Sequence, residues 1–327
     1  MIIAIPDDYH GLVTKLDCFS TLAAHEVRVF RDVAPPLDTM VNNLRDAEAL
    51  VPIRERTDFT RELLDRLPKL KVISQTGRSA HHIDIAACTE RGIVVCHGTH
   101  ASPYTVAEHT WTLTLSALRR IPEETALMKQ GRWRESFSTG LHGKTLGIFG
   151  LGKIGALIAA TGTSFGMKVL VWGREASQAA ARKAGYAVAT SKQELFEQSD
   201  VLHLMVRLTK ETRGIVTAED LASMKPTSLL VNTARAELIA PGALATALKA
   251  GRPGMAAVDV YENEPVQGGT HPLLKLGNAL CTPHSAWIER GTYELYFGEA
   301  FSNLLAFAAG KPVNVLNPEA LTAARKG

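Results

Sequence analysis

The fold is decided by residues 146–155, which read LGIFGLGKIG. Residues 146–149 are an unbroken apolar run, typical of a strand that is covered on both faces. Residues 150–155 form a G-x-G-x-x-G turn, and residues 154–161 have the composition of a helix. The motif alone is weak evidence, but between a strand and a helix it predicts a turn that receives a phosphate group.

Each glycine of this turn has its own physical task. Gly150 allows the tight turn, Gly152 lets the backbone approach a pyrophosphate, and Gly155 permits close packing of the helix on the strand. The alternative is a glycine turn without a ligand. We predict that the turn binds a dinucleotide through Gly150, Leu151, Gly152, Lys153, Ile154 and Gly155.

Apolar runs at regular intervals extend the pattern on both sides of the turn. From residue 146 onward they lie at 146–149, 169–172, 201–205, 228–231, 255–258 and 279–281, with helix-like segments at 175–184, 218–224 and 241–250. Pro241 suits the first turn of the last of these helices. The first hundred residues repeat the alternation more weakly, with strands at 2–5, 27–30, 49–53, 71–74 and 93–96 and a helix at 61–67. Strand and helix in alternation predict two doubly wound α/β domains.

Two long helices are expected where these domains join. An amphipathic helix covers about residues 102–131, and another covers 293–309 near the C-terminus. The arrangement indicates that a dinucleotide-binding domain, residues 102–289, is inserted into an outer substrate domain. The outer domain comprises residues 1–101 and is completed by residues 290–327.

Composition excludes several classes of function. The 327 residues carry 36 Lys and Arg against 33 Asp and Glu, and the net charge of +3 is too small to predict nucleic-acid binding. The four cysteines lack C-x-x-C spacing, so we expect neither a disulfide framework nor a metal. No apolar run reaches the roughly 18 residues of a membrane span, and the apolar start at 1–5 is too short for a signal peptide. We expect a cytoplasmic protein with no membrane partner.

The end of the second strand after residue 146 indicates which dinucleotide binds. An acidic residue is expected there, about 20 residues after the glycine turn, to bind the ribose hydroxyls. The chain instead has Trp172, Gly173 and Arg174. A carboxylate would repel a 2′-phosphate and an arginine would accommodate one, so we expect NAD(P), with NADP(H) favoured over NAD(H). Two other interpretations of Arg174 stay open: a solvated surface side chain, or one that stacks on the adenine.

Charged residues follow each of the last three strands. Arg235 follows the fourth, Asp259 and Glu264 follow the fifth, and His284 follows the sixth. Ligands of an open α/β sheet bind outside the carboxyl ends of the strands, so we expect these side chains to converge near the nicotinamide. Asp259, at the strand end itself, is placed to hold the nicotinamide carboxamide.

The remaining three residues suit hydride transfer to the ketone of a 2-oxo acid. Arg235 binds the substrate carboxylate and polarises the carbonyl. His284 donates or accepts the proton, since the ordinary pKa of an imidazole is about 6.5. Glu264 bonds this imidazole, favours its charged form and fixes its tautomer.

Each of the three catalytic residues has a structural alternative. Arg235 could cap a helix or pair with Glu237. Glu264 could be a solvated loop carboxylate, with Glu262 as its rival. His284 could be a structural histidine.

Five motifs together resemble the D-isomer-specific 2-hydroxyacid dehydrogenase family, which includes phosphoglycerate, glycerate and lactate dehydrogenases. They are the glycine turn, NTAR at 232–235, DVYENEP at 259–265, TPH at 282–284 and VAEHT at 106–110. The resemblance implies an NAD(P)-dependent oxidoreductase acting on a CH–OH group, with catalytic Arg235, Glu264 and His284. It favours Glu264 over Glu262, because the family's glutamate directly precedes the proline.

The resemblance also has implications for architecture. It implies a Rossmann cofactor domain inserted into a flavodoxin-like substrate domain, a cleft that closes on a small 2-oxo or 2-hydroxy acid, and a homodimer built largely from the cofactor domains. Beyond the glycine turn, the implied cofactor site contains Trp172, Gly173, Arg174, Val206, Arg207, Thr233, Ala234, Arg235, Asp259, His284 and Ala286.

The chain departs from the family in the outer domain, where residues 76–84 read TGRSAHHID. Ser79 replaces a usual glycine, and two histidines stand where Asp and Asn are common. Arg78 could meet an anionic substrate tail or face solvent, and Arg54 matches a family position that faces the cleft. We therefore expect substrate binding by Arg54, Arg78, Ser79 and Arg235.

Two other functions remain open at this point. Some family relatives are corepressors, so a dinucleotide-sensing interaction protein on the same fold is an alternative. A different Rossmann oxidoreductase is the third hypothesis, and retained activity after Arg235→Ala would favour it.

Overall fold

The structure, a computed structural model, describes residues 1–33, 35–133 and 136–323. The chain divides into two compact units, residues Met1–Ser102 with Ile288–Gly327 and residues Pro103–Trp287. Residues 324–327 of the predicted outer domain lie outside the described residues. Within these ranges no helix has the length and apolar composition needed to cross a membrane.

The described residues form twelve parallel strands and twelve α-helices. The strands are β1 Ile2–Ile5, β2 Glu26–Val29, β3 Ala49–Leu50, β4 Val72–Gln75, β5 Val94–His97, β6 Thr145–Phe149, β7 Lys168–Trp172, β8 Ala187–Val188, β9 Val201–Leu204, β10 Leu229–Asn232, β11 Met255–Val258 and β12 Ala279–Cys281. The helices are α1 Leu37–Leu44, α2 Arg61–Asp65, α3 Ile85–Glu90, α4 Tyr104–Leu118, α5 Ile121–Lys129, α6 Lys153–Ser164, α7 Glu175–Lys183, α8 Lys192–Gln198, α9 Ala218–Ser223, α10 Ala243–Lys249, α11 Arg290–Ala308 and α12 Ala320–Ala323.

The first unit contains one parallel sheet in the order β2-β1-β3-β4-β5. Strands β3 and β4 are buried throughout, as expected for strands covered on both faces. Helix α11, from the C-terminal segment, lies against this sheet, and the Ser74 hydroxyl donates a 2.8 Å hydrogen bond to the carbonyl of Ala300. The strand order is the flavodoxin-like one, which confirms the predicted second doubly wound α/β fold.

The second unit contains a seven-stranded parallel sheet in the order β12-β11-β10-β9-β6-β7-β8. All six predicted apolar runs are strands, and the Rossmann fold class is confirmed. Asn232 pairs with Val258, and Val258 pairs with Cys281, so β10, β11 and β12 end at the same edge of the sheet. Strand β8 lies outside the predicted runs because two residues are too few to form a pattern.

Two sequence predictions about helices are wrong. The single helix expected over 102–131 is two helices, α4 and α5, separated at Arg120, whose φ of 54° is left-handed. Pro122 lies in the first turn of α5, and a proline ring collides with the carbonyl four residues earlier, so α4 cannot continue through it. Pro241 is not in the first turn of α10, because Gly242 caps that helix with a φ of 71°.

Candidate active site

The glycine turn connects β6 to α6 through three glycines in different environments. At Gly150, with a φ of 96°, a Cβ would lie 2.8 Å from Val206 Cγ1. At Gly155, which is buried, a Cβ would lie 2.6 Å from the carbonyl oxygen of Gly150. At Gly152 a Cβ would meet no atom of the described residues within 4 Å. Gly150 and Gly155 are therefore required by packing, whereas no contact among the described residues requires a glycine at position 152.

These surroundings fit the pyrophosphate of a dinucleotide. Gly152 and Lys153 are exposed at the start of α6, a helix of twelve residues. The first N–H groups of a helix have no partner within it and carry a partial positive charge, which suits an anion. The missing side chain at Gly152 leaves these N–H groups accessible.

Ser177 of α7 lies directly beside this turn. The Ser177 hydroxyl accepts a 3.2 Å hydrogen bond from the N–H of Leu151. A Cβ at Gly173 would lie 3.2 Å from the Ser177 side chain, closer than most carbon contacts, so any larger residue at position 173 would require Ser177 to shift by a few tenths of an ångström. Arg174 is exposed at the cap of α7. Hydrogen bonds at Thr209 and at its own backbone lower the pKa of Glu211, burial opposes them, and the charge of Arg174 lowers this pKa further. Arg174 therefore lies near the loop after β9.

The ends of β10, β11 and β12 bring the predicted catalytic loops to one edge of the sheet. The N–H of Asp259 donates to the carbonyl of Asn232 at 3.0 Å, and the N–H of Thr282 donates to that of Val258 at 2.9 Å. Neighbouring strands lie about 4.8 Å apart, so the outer two loops begin about 10 Å from each other. Within this unit the loops of Arg235, Glu264 and His284 are neighbours.

His284 and Glu264 form a direct hydrogen bond. Nδ1 of His284 lies 2.5 Å from Oε2 of Glu264, and the Tyr261 N–H donates to the other carboxylate oxygen at 2.8 Å. A carboxylate only accepts hydrogen bonds, so Nδ1 carries the proton. Both side chains are about one-third exposed, at 32% and 30%. Glu262, the rival carboxylate, instead lies 3.0 Å from Nε2 of His271.

Asp259 lies beneath this pair and is fully buried. Its carboxylate accepts the N–H groups of Ser285 and Ala286 at 2.9 Å each and the hydroxyl of Thr282 at 2.5 Å. Nε2 of His109 lies 3.2 Å from the same carboxylate. Burial alone would raise the pKa of Asp259, but the hydrogen bonds from His109, Thr282, Ser285 and Ala286 lower it, so the carboxylate is ionised at neutral pH. That Asp259 holds the nicotinamide carboxamide stays a prediction. The structure shows in addition that Asp259 supports the turn that contains His284.

The Arg235 loop is held by Asn232 and Thr233. The Asn232 side chain donates to the carbonyl of Arg235 at 2.9 Å and accepts the N–H of Ala234 at 3.0 Å. The Thr233 hydroxyl lies 2.7 Å from that of Thr110 in α4. The Arg235 side chain is half-buried and donates to the carbonyl of Ala234 at 2.7 Å.

The other predicted substrate residues belong to the unit that begins at Met1. Arg54 has a left-handed φ of 55°, and its guanidinium lies 5.5 Å from the ring centroid of Tyr296. Its N–H donates to the hydroxyl of Thr76 at 2.8 Å, just beyond β4. Arg78 is exposed, and the Ser79 hydroxyl lies 2.7 Å from Nδ1 of His81. The three residues follow the carboxyl ends of β3 and β4, where a sheet of this type binds ligands.

The two histidines of this loop differ in burial. His82 is 5% exposed, and burial lowers its pKa to about 4, so its imidazole is neutral at physiological pH. His81 beside it is exposed. Among the described residues, no group of three or more His, Cys, Asp and Glu side chains could hold a metal ion.

Sequence reasoning missed the role of α4 at this site. His109 lies in the motif VAEHT that carried part of the resemblance, but neither it nor Thr110 was among the predicted site residues. The two residues are more than 100 positions from Asp259 and Thr233, and no local pattern indicates such contacts.

A phosphate-binding turn and an imidazole–carboxylate pair, both beyond the carboxyl ends of one parallel sheet, define a nicotinamide dinucleotide-dependent oxidoreductase. Residues 111–286 match the model of the NAD binding domain of the D-isomer specific 2-hydroxyacid dehydrogenases. The chain belongs to this family, which confirms the predicted enzyme class, an NAD(P)-dependent oxidoreductase acting on a CH–OH group.

Similar proteins extend the likeness over nearly the whole chain. The chain is 35% identical to a glyoxylate reductase of Aeropyrum pernix, over 90% of each protein. It is 39% identical to a D-3-phosphoglycerate dehydrogenase of Methanocaldococcus jannaschii, over 76% of this chain and 47% of that protein. A crystal structure from Ralstonia solanacearum, provisionally assigned as a D-3-phosphoglycerate dehydrogenase oxidoreductase, superposes with a TM-score of 0.94 at 52% identity, covering 98% of each chain.

Proposed function

We propose that this protein interconverts a small 2-oxo acid and the corresponding D-2-hydroxy acid. The observation that carries the proposal is the 2.5 Å hydrogen bond between His284 and Glu264, at the edge of the sheet where the Arg235 loop also begins. The names of the relatives, glyoxylate reductase and D-3-phosphoglycerate dehydrogenase, support a short substrate that carries a carboxylate beside the reacting carbon.

The residues act on the two ends of such a substrate. Arg235 binds the carboxylate and polarises the adjacent carbonyl, since its guanidinium is always charged. Glu264 holds the proton-bearing Nδ1 of His284, so that Nε2 faces the substrate oxygen. During reduction, Nε2–H donates its proton to the oxygen, and during oxidation Nε2 accepts a proton from the hydroxyl. The bound nicotinamide dinucleotide supplies or accepts the hydride.

The proposed cofactor preference is NADP(H) over NAD(H). Gly173 leaves no carboxylate at the ribose position, and a Cβ added there would lie only 3.2 Å from the Ser177 side chain. Arg174 is exposed and lies near the loop after β9, where Arg207 is also exposed. Two cationic side chains on this rim favour a 2′-phosphate.

The unit that begins at Met1 is proposed to be the substrate domain, and Pro103–Trp287 the cofactor domain. Arg54, Arg78 and Ser79 are proposed to bind the substrate, because they follow strand ends and two of them carry positive charge. Replacing Arg78 by glutamine should raise KM for a 2-oxo acid with a second anionic group and leave KM for glyoxylate unchanged. Equal KM values in both proteins for both substrates would contradict this role.

A homodimer is proposed through α5 and the segment after it. Helix α5 buries none of its residues, and Ile121 and Met128 are 52% and 53% exposed. Trp133 and Phe137, just beyond the helix, are 69% and 100% exposed. Apolar side chains concentrated on one segment are typical of an interface. Light scattering should give twice the chain mass, and Ile121→Asp should shift the species toward the monomer.

The test of the function is a panel of 2-oxo acids assayed with NADPH and with NADH. We expect turnover of glyoxylate, hydroxypyruvate or a similar acid, with the lower KM for NADPH. A lower KM for NADH would reject the cofactor preference. Tight dinucleotide binding without turnover across the panel would reject the enzyme and favour a dinucleotide-sensing interaction protein.

A further inference from the structure

The His284 turn is unfavourable by itself. His284 has a φ of 49°, in the left-handed region that residues with a Cβ avoid. Such a conformation persists where surrounding contacts determine it. The Asp259 carboxylate provides them, because it accepts the N–H groups of Ser285 and Ala286 on one side of His284 and the hydroxyl of Thr282 on the other.

His109 connects this carboxylate to helix α4. Its Nε2 lies 3.2 Å from Oδ1 of Asp259 and 3.2 Å from the hydroxyl of Thr282. Because a carboxylate only accepts hydrogen bonds, Nε2 carries the proton and donates it. The side chain of His109 is 20% exposed and that of Asp259 is not exposed at all, so water weakens this contact little.

The next residue of α4 supports the second catalytic loop. The Thr110 hydroxyl donates to the carbonyl of Val106 at 2.6 Å, which uses its single hydrogen. It therefore accepts the hydroxyl of Thr233 at 2.7 Å, two residues before Arg235. Thr110 is fully buried and Thr233 is 7% exposed. Consecutive residues of one helix thus contact the His284 loop and the Arg235 loop.

We propose that His109 and Thr110 are positioning residues that set the His284 and Arg235 loops relative to each other for hydride transfer. The inference rests on the proposed function. Neither residue is proposed to touch the substrate. Their effect comes through geometry, since a small misplacement of reacting groups lowers the rate of the chemical step strongly.

Thr114 provides a matched control on the same helix. Like Thr110 it is fully buried, and its hydroxyl donates to a backbone carbonyl, that of Thr110, at 2.7 Å. It accepts from Nε2 of His203 at 3.0 Å, so its two hydrogen-bond partners among the described residues, Thr110 and His203, belong to neither the Arg235 loop nor the His284 loop. Thr110→Val and Thr114→Val therefore remove equivalent buried hydrogen bonds, one beneath the active site and one away from it.

We expect Thr110→Val to lower kcat about tenfold, the effect of one net hydrogen bond of about 1.4 kcal/mol, with cofactor KM unchanged. Thr110→Ser, which keeps the hydroxyl, should restore kcat. His109→Leu should also lower kcat. In urea unfolding, Thr114→Val should lose about as much stability as Thr110→Val loses. Unlike Thr110→Val, it should keep the wild-type kcat. Equal kcat values in Thr110→Val and Thr114→Val would overturn the proposal.

A readout independent of turnover separates this inference from the proposed function. A wild-type protein that reduces no 2-oxo acid would contradict the function. The positioning role is then decided by crystal structures, in which His109→Leu should change the backbone at residue 284 and lengthen the contact with Glu264. Thr114→Val should leave both unchanged. An unaltered turn in His109→Leu would overturn the proposed role of that residue.

Discussion

Adding one methyl group to the glycine turn should destabilise the protein at position 155 and leave its stability constant or slightly higher at position 152. In Gly155→Ala, the new Cβ would lie 2.6 Å from the carbonyl oxygen of Gly150 and 3.5 Å from Cγ2 of Ile148. Because the closer atom belongs to the backbone, α6 and the turn must move apart by about 0.4–0.8 Å to reach the tightest contacts that Cβ atoms make, 3.0–3.4 Å. We expect the free energy of unfolding to fall by about 1–3 kcal/mol, the usual range for overpacking.

Gly152→Ala is the matched variant. Its backbone angles, a φ of −85° and a ψ of −164°, suit any residue, and the added Cβ would meet no atom of the described residues within 4 Å. We expect the free energy of unfolding to stay constant or to rise by about 0.4–1 kcal/mol, because alanine restricts the unfolded chain. The same methyl group would keep a pyrophosphate from the N–H groups of the turn. Loss of one charge-assisted hydrogen bond, about 1.5–3 kcal/mol, weakens dinucleotide binding about 10- to 100-fold.

Two measurements on each variant test this reasoning. Urea unfolding followed by circular dichroism gives the change in stability, and fluorescence titration with NADPH and NADH gives the two dissociation constants. A Gly152→Ala protein that binds both dinucleotides as tightly as the wild type would refute the phosphate site at this turn. A Gly155→Ala protein with wild-type stability would refute the close contact between α6 and Gly150.

Two further outcomes are expected. Glu264→Gln should lower kcat about 10²- to 10⁴-fold, because Nδ1 of His284 loses the carboxylate that accepts its hydrogen bond and orients the ring for proton transfer. Glu262→Gln should keep the wild-type kcat in the same assay, and similar losses in both variants would contradict the choice of Glu264. The free energy of unfolding should fall as the pH drops from about 6.5 towards 4, because burial lowers the pKa of His82 to about 4 and the unfolded chain therefore takes up the proton first. Urea unfolding at each pH gives the slope of the free energy of unfolding against pH. His82→Phe should reduce this slope, and the exposed His81→Gln should not. An unchanged slope in His82→Phe would show that His82 does not couple stability to pH.

The parts of the candidate site that could be predicted carry local signals. The glycine turn is six consecutive residues, and Glu264 and His284 each follow an apolar run that ends in a recognisable loop. The rule that ligands bind beyond the carboxyl ends of parallel strands then brings these loops together without further information. The structure agrees, with 2.5 Å between the imidazole and the carboxylate.

The support beneath the site could not be predicted in this way. Asp259 was interpreted as a cofactor residue from its place at a strand end, but the packing also makes it the acceptor for the turn around His284. The contact with His109 spans 150 positions of sequence and depends on how α4 lies against the sheet. The single helix predicted over 102–131 also passed through Pro122, although the apolar residues that indicate a helix, at 106–118, end before that proline.

By itself, the sequence determined the α/β class, the order of the longer strands, and the residue types at the strand ends that carry the candidate site. These properties follow from apolar runs, glycine turns and helix stops, which act over a few neighbouring residues. Only the tertiary structure decided that β6 lies between β9 and β7, that α4 contacts both the Arg235 and the His284 loops, and that a buried carboxylate holds the left-handed His284 turn. Those features depend on hydrogen bonds and packing between segments far apart in the chain, and these contacts form only when the whole sheet has assembled.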